Sequence, residues 1–383
     1  RVSSHMEQNI KNKNIYLVML GQDGGLLSEA SEAMERTLVY GEHFSGIHAY
    51  VFAKRISQKR ISNKNVFVVG FSTVIGSIFG FFQIWKDVRG LQSRGCQVVI
   101  TTQDPFEIGL IGLVISRLTK TFFHVQIHTD ISSAHMQYES IRTYIQYLLS
   151  LFVLPRAHRV RAVSQRLENF CIQRLHITDK KIDKVPMFYK REIKKTTSSF
   201  TVKPHSIILP ARFVWFKRIP IALEAFSFAL QKNKNIRLQI IGAGPLKQEI
   251  ERVISELKIS EYVEIIPWMK AEELYQNATL TLISSVYEGW CRVAVESIEA
   301  GVPVVMTDVG CAHEFIRDNK EGVIVPIEDA ATLGNAIGKM LETEDVYMQF
   351  KNACLHASAI IDSFDMYESK VVNSWIATIS QVR

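Results

Sequence analysis

Cysteine is scarce in this chain, five residues in 383. Cys96, Cys171, Cys291, Cys311 and Cys354 are scattered, and no Cys-x-x-Cys pair brings two of them together. Closely spaced pairs are what a zinc site or a disulfide framework needs, so neither organises the fold, and the pattern fits a reducing compartment. No charged segment followed by an apolar run opens the sequence, so export through a signal peptide is not expected. Residues 1–5, Arg-Val-Ser-Ser-His ahead of Met6, read as a cloning scar and are set aside. No RNA- or DNA-binding motif, no internal repeat of 20–50 residues and no low-complexity tract appears, so nucleic acid is not an expected partner. Gly-x-Gly-x-x-Gly is missing after the first predicted strand, which excludes the usual nicotinamide dehydrogenase.

What is present points to two soluble domains. Hydrophobic residues make up 47% and charged residues 22%, enough core for a chain longer than one ordinary domain. Charge is uneven. Residues 1–203 hold 28 Lys+Arg against 15 Asp+Glu, a balance of +13, and residues 204–383 hold 17 against 23, a balance of −6. A basic half suits anionic lipid or a phosphorylated substrate, with a merely solvated basic surface as the alternative. Val66–Trp85 is twenty residues without a charge, with Gly76-x-x-x-Gly80 inside it. That is long enough for a membrane span, but Gly70, Ser72, Thr73, Ser77 and Gln83 interrupt it. The segment is read instead as a strand followed by a helix to about Leu91, capped by Ser72 or Thr73.

The rest alternates between the two periods. Strands are expected at 15–20, 47–52, 66–71, 97–101, 123–127 and 159–162, with helices at 31–42 and 139–151 between them. The polar stretch Lys190–Lys203 reads as a linker. Beyond it, strands at 206–209, 237–241, 263–266, 280–284, 302–307 and 322–325 alternate with helices starting near Pro220, Pro245, Ala271, Cys291, Ala312 and Asp329. A last helix is expected around Met366–Ile379. Alternation of this kind gives doubly wound parallel sheets, which bind ligands at the carboxyl ends of their strands.

The chemistry concentrates in Tyr287-Glu288-Gly289-Trp290-Cys291-Arg292-Val293-Ala294-Val295-Glu296. Glu288 follows a strand end, and Gly289 permits a tight turn. The helix that starts next offers unpaired N–H groups to an anion. Glu296 lies in its second turn, and paired carboxylates suit a hydroxyl-rich ligand. On these residues alone a solvated acidic helix face remains the alternative.

The run Glu288 to Val305 resembles the Glu-x7-Glu signature of the retaining glycosyltransferases of family 4 (glycosyl transferases group 1). Three further blocks resemble that family in order and spacing: Ala211-Arg212-Phe213-Val214-Trp215-Phe216-Lys217, Ile240-Ile241-Gly242-Ala243-Gly244-Pro245-Leu246, and Thr307-Asp308-Val309-Gly310 with Glu314. The resemblance covers roughly residues 155–345. It implies an α/β chain of GT-B fold, two Rossmann-like doubly wound domains facing across a cleft. An acceptor-side domain would cover 6–192, with a C-terminal helix from about 362 packed back on it, and a donor-binding domain 204–361.

The resemblance also implies roles. Arg212 and Lys217 would neutralise the donor diphosphate. Glu288 would hold hydroxyls of the transferred sugar, and Glu296 those of the ribose. The backbone of Gly289, Trp290, Cys291, Arg292 and Val293 would line sugar and phosphates. Gly242 and Gly244 would border the donor, and Pro267, Trp268 and Met269 would contact the base. His128, in Gln126-Ile127-His128-Thr129-Asp130, would meet the donor sugar. Gly21–Gly25 stands where the family has a glycine loop, but its continuation departs from the pattern, which leaves Gly24 and Gly25 unassigned. Cys291 and Ala211 stand where the family has glycine. No Asp-x-Asp occurs, the pair with which metal-dependent sugar transferases hold their ion, so no metal or other cofactor is implied.

The resulting expectation is a retaining, metal-independent enzyme. It would move a sugar from a UDP-sugar, or alternatively GDP-mannose, to a saccharide or lipid-linked acceptor. It would be cytoplasmic, with possible peripheral contact of the basic half with the anionic inner membrane face, and its domains would close on the donor. The competing readings are a nucleotide-sugar epimerase of the same fold and a non-catalytic binding subunit. The latter would be expected to lose Glu288, Glu296 or Lys217, all of which are present.

Overall fold

A computed structural model describes residues 14–53, 60–72, 76–187, 193–359 and 364–380. The chain divides into two α/β units, 1–186 together with 365–383, and 187–364.

Unit 1 is built on an eight-stranded sheet. Its strands are β1 (Ile15–Gly21), β2 (Gly46–Ala53), β3 (Arg60–Asn63), β4 (Val66–Ser72), β5 (Gln97–Thr102), β6 (Phe122–Ile127), β7 (Arg159–Ala162) and β8 (Ile182–Lys184), in spatial order β3-β4-β2-β1-β5-β6-β7-β8. All pairs are parallel except β3 on β4. The near-continuous apolar run of β1 and the Val-Val-Ile of β5 are what a sheet covered on both faces requires. Helices start where the sequence caps them. Ser31 accepts from the Met34 N–H, and Ser140 makes a reciprocal capping box with Thr143. Val66–Ser72 is a strand beside β2, and a helix runs over Gly76–Ser93. Thr73, one of the two expected caps, lies outside the described residues, as do the leading residues 1–5 and Met6. Among the described residues no helix is long and apolar enough to cross a membrane.

The helix Phe364–Ser380 belongs to unit 1 and is fastened by a buried polar chain. The Trp375 indole donates to Thr101 Oγ1 (3.1 Å), and the His124 ring bridges Thr101 (2.9 Å) and Ser374 (3.0 Å). Such a network specifies one seating for the helix, because each group displaced from it would be left unsatisfied.

Unit 2 carries a six-stranded, wholly parallel sheet of β9 (His205–Pro210), β10 (Ile236–Ile241), β11 (Val263–Ile266), β12 (Leu280–Ile283), β13 (Val304–Thr307) and β14 (Gly322–Val325), in order β11-β10-β9-β12-β13-β14. Its core packs Leu223, Phe226, Leu238, Leu282, Leu333 and Ile337 between sheet and helices. Residues 190–192 of the expected linker lie outside the described residues. The part that follows is tied to unit 2: Ile193 is buried, and the Thr196 and Thr197 N–H groups donate to the carbonyls of Ala300 and Gln276, both at 2.8 Å.

The helix expected from Ala312 does not form. Gly310 and His313 take left-handed φ of 57° and 63°, and the Cys311 carbonyl accepts from the N–H groups of Glu314, Phe315 and Ile316, so the segment coils into a turn. The edge strands β3 and β8 were not anticipated.

Candidate functional site

In unit 2 the chain order reverses between β9 and β12, and a doubly wound sheet opens a crevice at that point. The crevice at their carboxyl ends is lined by Pro210, Ala211, Lys217, Ser285, Glu288 and Val293, among others. A roomier groove elsewhere in unit 2, beside Lys232, Asn319, Asn335 and Lys339, contains no sequence-predicted site residue. Its lysines are already bonded, Lys232 to Asn335 and Lys339 to Asn319.

The loop after β9 is clamped to the loop after β10. The Phe213 N–H donates to the Ala243 carbonyl (2.9 Å), and the Leu246 N–H to the Phe213 carbonyl (3.2 Å). The two glycines make this approach possible. A Cβ on Gly242 would stand 1.9 Å from the Ala211 carbonyl oxygen, and one on Gly244 would stand 2.5 Å from that of Phe213. The contact fixes the stretch that presents Arg212 and Lys217. Both cations lie beside the Phe216 ring, at 5.9 and 5.4 Å from its centroid, and that ring stacks on Tyr287 at 4.7 Å. Arg218 is engaged instead with Glu328 and the face of Trp215. Arg212 is exposed.

Lys217 forms an ion pair with Glu288, and both side chains are largely buried, at 17% and 13% exposure. The Ser285 hydroxyl donates to the same Glu288 oxygen, Oε1, at 2.8 Å. Oε2 therefore keeps its capacity for a further donor. Ser284 donates to the Lys217 carbonyl (2.7 Å), and Thr307 to the Ser285 carbonyl (2.6 Å). Strand-end hydroxyls thus lock the backbone on both sides of the pair. The structure brings together two residues to which the sequence assigned separate duties.

Glu296 sits on the helix Arg292–Glu299. Arg292 donates to its Oε1 (2.9 Å) and Tyr275 to its Oε2 (3.1 Å). Burial and the neighbouring Glu296 raise the Tyr275 hydroxyl well above its ordinary pKa, so it remains a donor. A carboxylate has about four acceptor sites, so two oriented ones remain for a ligand. Cys291, at the helix start, holds a left-handed φ of 67°, the conformation that glycine takes without strain. Its thiol is pushed up to about 12, first by burial and then by Glu288, so it stays protonated. The Ala294 N–H turns back to the Cys291 carbonyl (3.1 Å), while those of Arg292 and Val293 precede the helix's own ladder, where a helix start takes an anion. After β11, Pro267, Trp268 and Met269 are exposed, the last two at 52% and 40%, an unusual display of apolar surface on a loop.

His128 lies in unit 1 just past β6. Arg161 donates from Nη1 to Gln126 Oε1 (2.8 Å), and His128 Nε2 approaches that same oxygen at 3.3 Å. Arginine only donates, so the amide oxygen of Gln126 faces it and His128 Nε2 must carry the proton. Burial first, then Arg161, push the His128 pKa down to about 3, so the ring is neutral. Its Nδ1 is then an acceptor, buried and without a partner among the described residues. Asp130 is buried and held by the Ser132 N–H and hydroxyl; burial raises its pKa. Near Gly24 a Cβ would meet nothing within 4 Å, and near Gly25 it would meet Asp23 at 2.9 Å.

Of the basic residues in 156–161 only Arg156 is exposed. Arg159 is bonded to Asp183, and Arg161 is 3% exposed with its donors on Val185, Gln126, Pro186 and Tyr367. Reading the sequence also missed Tyr275 and Ser285. Ser285 stands directly after a strand, which is a usable signal. Tyr275 reaches Glu296 only through the fold.

The sequence model of the family described as "Glycosyl transferases group 1" matches residues 190–354. An exopolysaccharide phosphotransferase of Streptomyces coelicolor is 34% identical over 150 residues, 38% of this chain and 16% of that protein. The alpha-monoglucosyldiacylglycerol synthase of Acholeplasma laidlawii is 24% identical over 260 residues, 59% of this chain and 62% of that protein. The chain thus spans less than two thirds of the length of these relatives. Among solved structures, the sucrose-phosphate synthase of Thermosynechococcus elongatus superposes with a TM-score of 0.74 at 15% identity, covering 96% of this chain and all of that one. Anabaena HepE in complex with UDP-glucose gives 0.72 at 16% identity with the same coverage. The fold is therefore GT-B, two α/β domains with parallel sheets.

Proposed function

We propose that this chain is a glycosyltransferase that takes a nucleotide sugar in unit 2 and passes its sugar to a saccharide or lipid-linked acceptor in glycan synthesis. The observation that carries the reading is the meeting of Lys217, Glu288 and Ser285 at the ends of β9 and β12, beside the start of a helix that carries Glu296. A nucleotide sugar has the matching sequence of groups: ribose hydroxyls, a diphosphate and sugar hydroxyls. Glu296 accepts from the ribose. Arg212, Lys217 and the helix start take the diphosphate, with the backbone of Gly289–Val293 alongside. Glu288 Oε2 accepts from the sugar. The exposed Pro267–Met269 loop receives the base, and Gly242 and Gly244 keep the phosphate loop in place.

The charge that builds on the leaving diphosphate meets fixed cations and backbone N–H groups, the preorganised form of electrostatic catalysis. We read the reaction as retaining. The acceptor hydroxyl attacks the anomeric carbon on the face the diphosphate leaves, and the departing phosphate oxygen takes the hydroxyl proton. Two relatives point to the acceptor class: one is named for glycolipid synthesis, and one from Campylobacter jejuni for transfer to a diphospho-undecaprenol-linked sugar. Neighbours solved with UDP and UDP-glucose favour a UDP-sugar, and the family resemblance leaves GDP-mannose as the alternative. A lipid-linked acceptor places the protein at a membrane surface, as a peripheral protein on the cytoplasmic side.

Because protein side chains supply the positive charge, transfer from UDP-glucose or a related donor is expected to survive EDTA. The check is radiolabelled sugar transfer with and without chelator. Activity lost in EDTA and restored by magnesium or manganese would contradict the assignment of charge to Arg212 and Lys217.

A further inference from the structure

Three helices of unit 1 carry an outward apolar stripe, two of them in addition to a buried apolar face. On Ile141–Val153, Ile141, Ile145, Leu148 and Phe152 recur at helical spacing with exposures of 83, 51, 45 and 46%. A helix packed only on its own domain turns such a stripe inward. Gly76–Ser93 exposes Ile78, Phe79, Phe82 and Trp85, and Glu107–Thr119 exposes Val114 and Leu118. The helix Glu107–Thr119 packs against both of the others, so the three stripes share one face. Soluble proteins rarely leave so large an apolar face uncovered.

The surrounding charge identifies the occupant. Lys86, Arg89, Arg117, Lys120, Arg142 and Arg156 are exposed on or at the ends of these helices, against two exposed carboxylates, Glu139 and Glu107, the latter 3.8 Å from Arg142. Two copies of this face would repel each other, whereas an anionic surface complements it. The Arg156 guanidinium lies 3.9 Å from the Phe152 ring centroid, and Tyr138 stacks on Tyr144 at 6.0 Å. Apolar bodies with polar or cationic tips are what a headgroup boundary accepts.

We infer that the outer faces of helices 76–93, 107–119 and 141–153 form a docking surface for an anionic phospholipid bilayer, with the apolar stripes entering the headgroup–acyl boundary and the basic residues on the headgroups. The surface deepens the lipid-acceptor reading above, but it is tested without donor or acceptor, so either can fail alone.

The test is co-sedimentation with phosphatidylcholine vesicles, with and without about one third phosphatidylglycerol. The wild type binds the anionic vesicles and is released by salt, since screening shortens the reach of the basic residues. Ile145→Glu/Leu148→Glu/Phe152→Glu lowers the partition by about a hundredfold or more, because three buried chains become charges. Arg117→Gln/Arg142→Gln/Arg156→Gln costs about fivefold per residue at low salt. Phe228→Glu/Leu355→Glu, exposed apolar residues of unit 2, leaves binding unchanged. Unaltered circular dichroism and nucleotide binding show that each variant is folded. Failure of the wild type to bind anionic vesicles would overturn the inference, as would binding unaffected by the Ile145/Leu148/Phe152 variant. So would a dimer in sedimentation velocity that this variant dissolves, which would make the face a contact between copies.

Discussion

Gly242→Ala is expected to destabilise unit 2 by about 3 kcal/mol or more, lowering its unfolding midpoint by roughly 6–12 °C. The added Cβ would sit 1.9 Å from the Ala211 carbonyl oxygen, and backbone on both sides leaves nothing flexible to yield. Relief requires the loops after β9 and β10 to separate, which breaks the Phe213–Ala243 and Leu246–Phe213 hydrogen bonds and shifts the stretch that presents Arg212 and Lys217. Nucleotide affinity should therefore fall together with stability. Gly338→Ala supplies the contrast. It lies in the helix Ala330–Met340 with nothing within 4 Å of its Cβ, so alanine should stabilise by up to about 1 kcal/mol. Calorimetry of both variants checks the pair. Equal midpoints for wild type and Gly242→Ala would mean that the two loops are not clamped as described.

Lys217→Ala and Glu296→Ala are each expected to weaken nucleotide-sugar binding or turnover by about 2–5 kcal/mol, a loss of thirtyfold to several thousandfold. The two variants should differ in character. Lys217→Ala removes a cation from the diphosphate and also leaves Glu288 largely buried without its partner. Lys217→Ala/Glu288→Gln should then lose less than the sum of the single losses, as residues in one ion pair do. Glu296→Ala leaves Arg292 and Tyr275 without the carboxylate they share, so Tyr275→Phe should reproduce part of its effect. Steady-state kinetics with the double-mutant cycle measures both. Additive losses for Lys217 and Glu288 would argue that the pair does not act as a unit in the free protein.

The sheet strands were legible because fully buried parallel strands are continuous apolar runs, as in Ile15–Gly21 or Val304–Thr307. β3 was not, since Arg-Ile-Ser-Asn offers one apolar residue and pairs only along an edge. A helix was expected from Ala312, but the left-handed Gly310 and His313 wind the chain around the Cys311 carbonyl, a geometry with no periodic signal. The site run 287–296 was legible because its residues are contiguous. The Lys217–Glu288 pair spans 71 residues and exists only because β9 and β12 are neighbours. For the same reason the burial of Arg161 carries no sequence signal: its donors are spent on Gln126, Tyr367 and backbone carbonyls. The helix over 139–151 was legible, but periodicity does not tell which side faces the core.

The most direct test of the central claim, that unit 2 holds a nucleotide sugar through Lys217 and Glu296, is thermal unfolding with UDP, GDP and ADP and their glucose or mannose conjugates, in EDTA. Ligand at a hundred times its dissociation constant adds about 2.7 kcal/mol to the folded state. The account predicts a raised midpoint with at least one of these, UDP or its sugar first, and no such rise in Lys217→Ala or Glu296→Ala. No shift with any of them, or an equal shift in both variants, would contradict it.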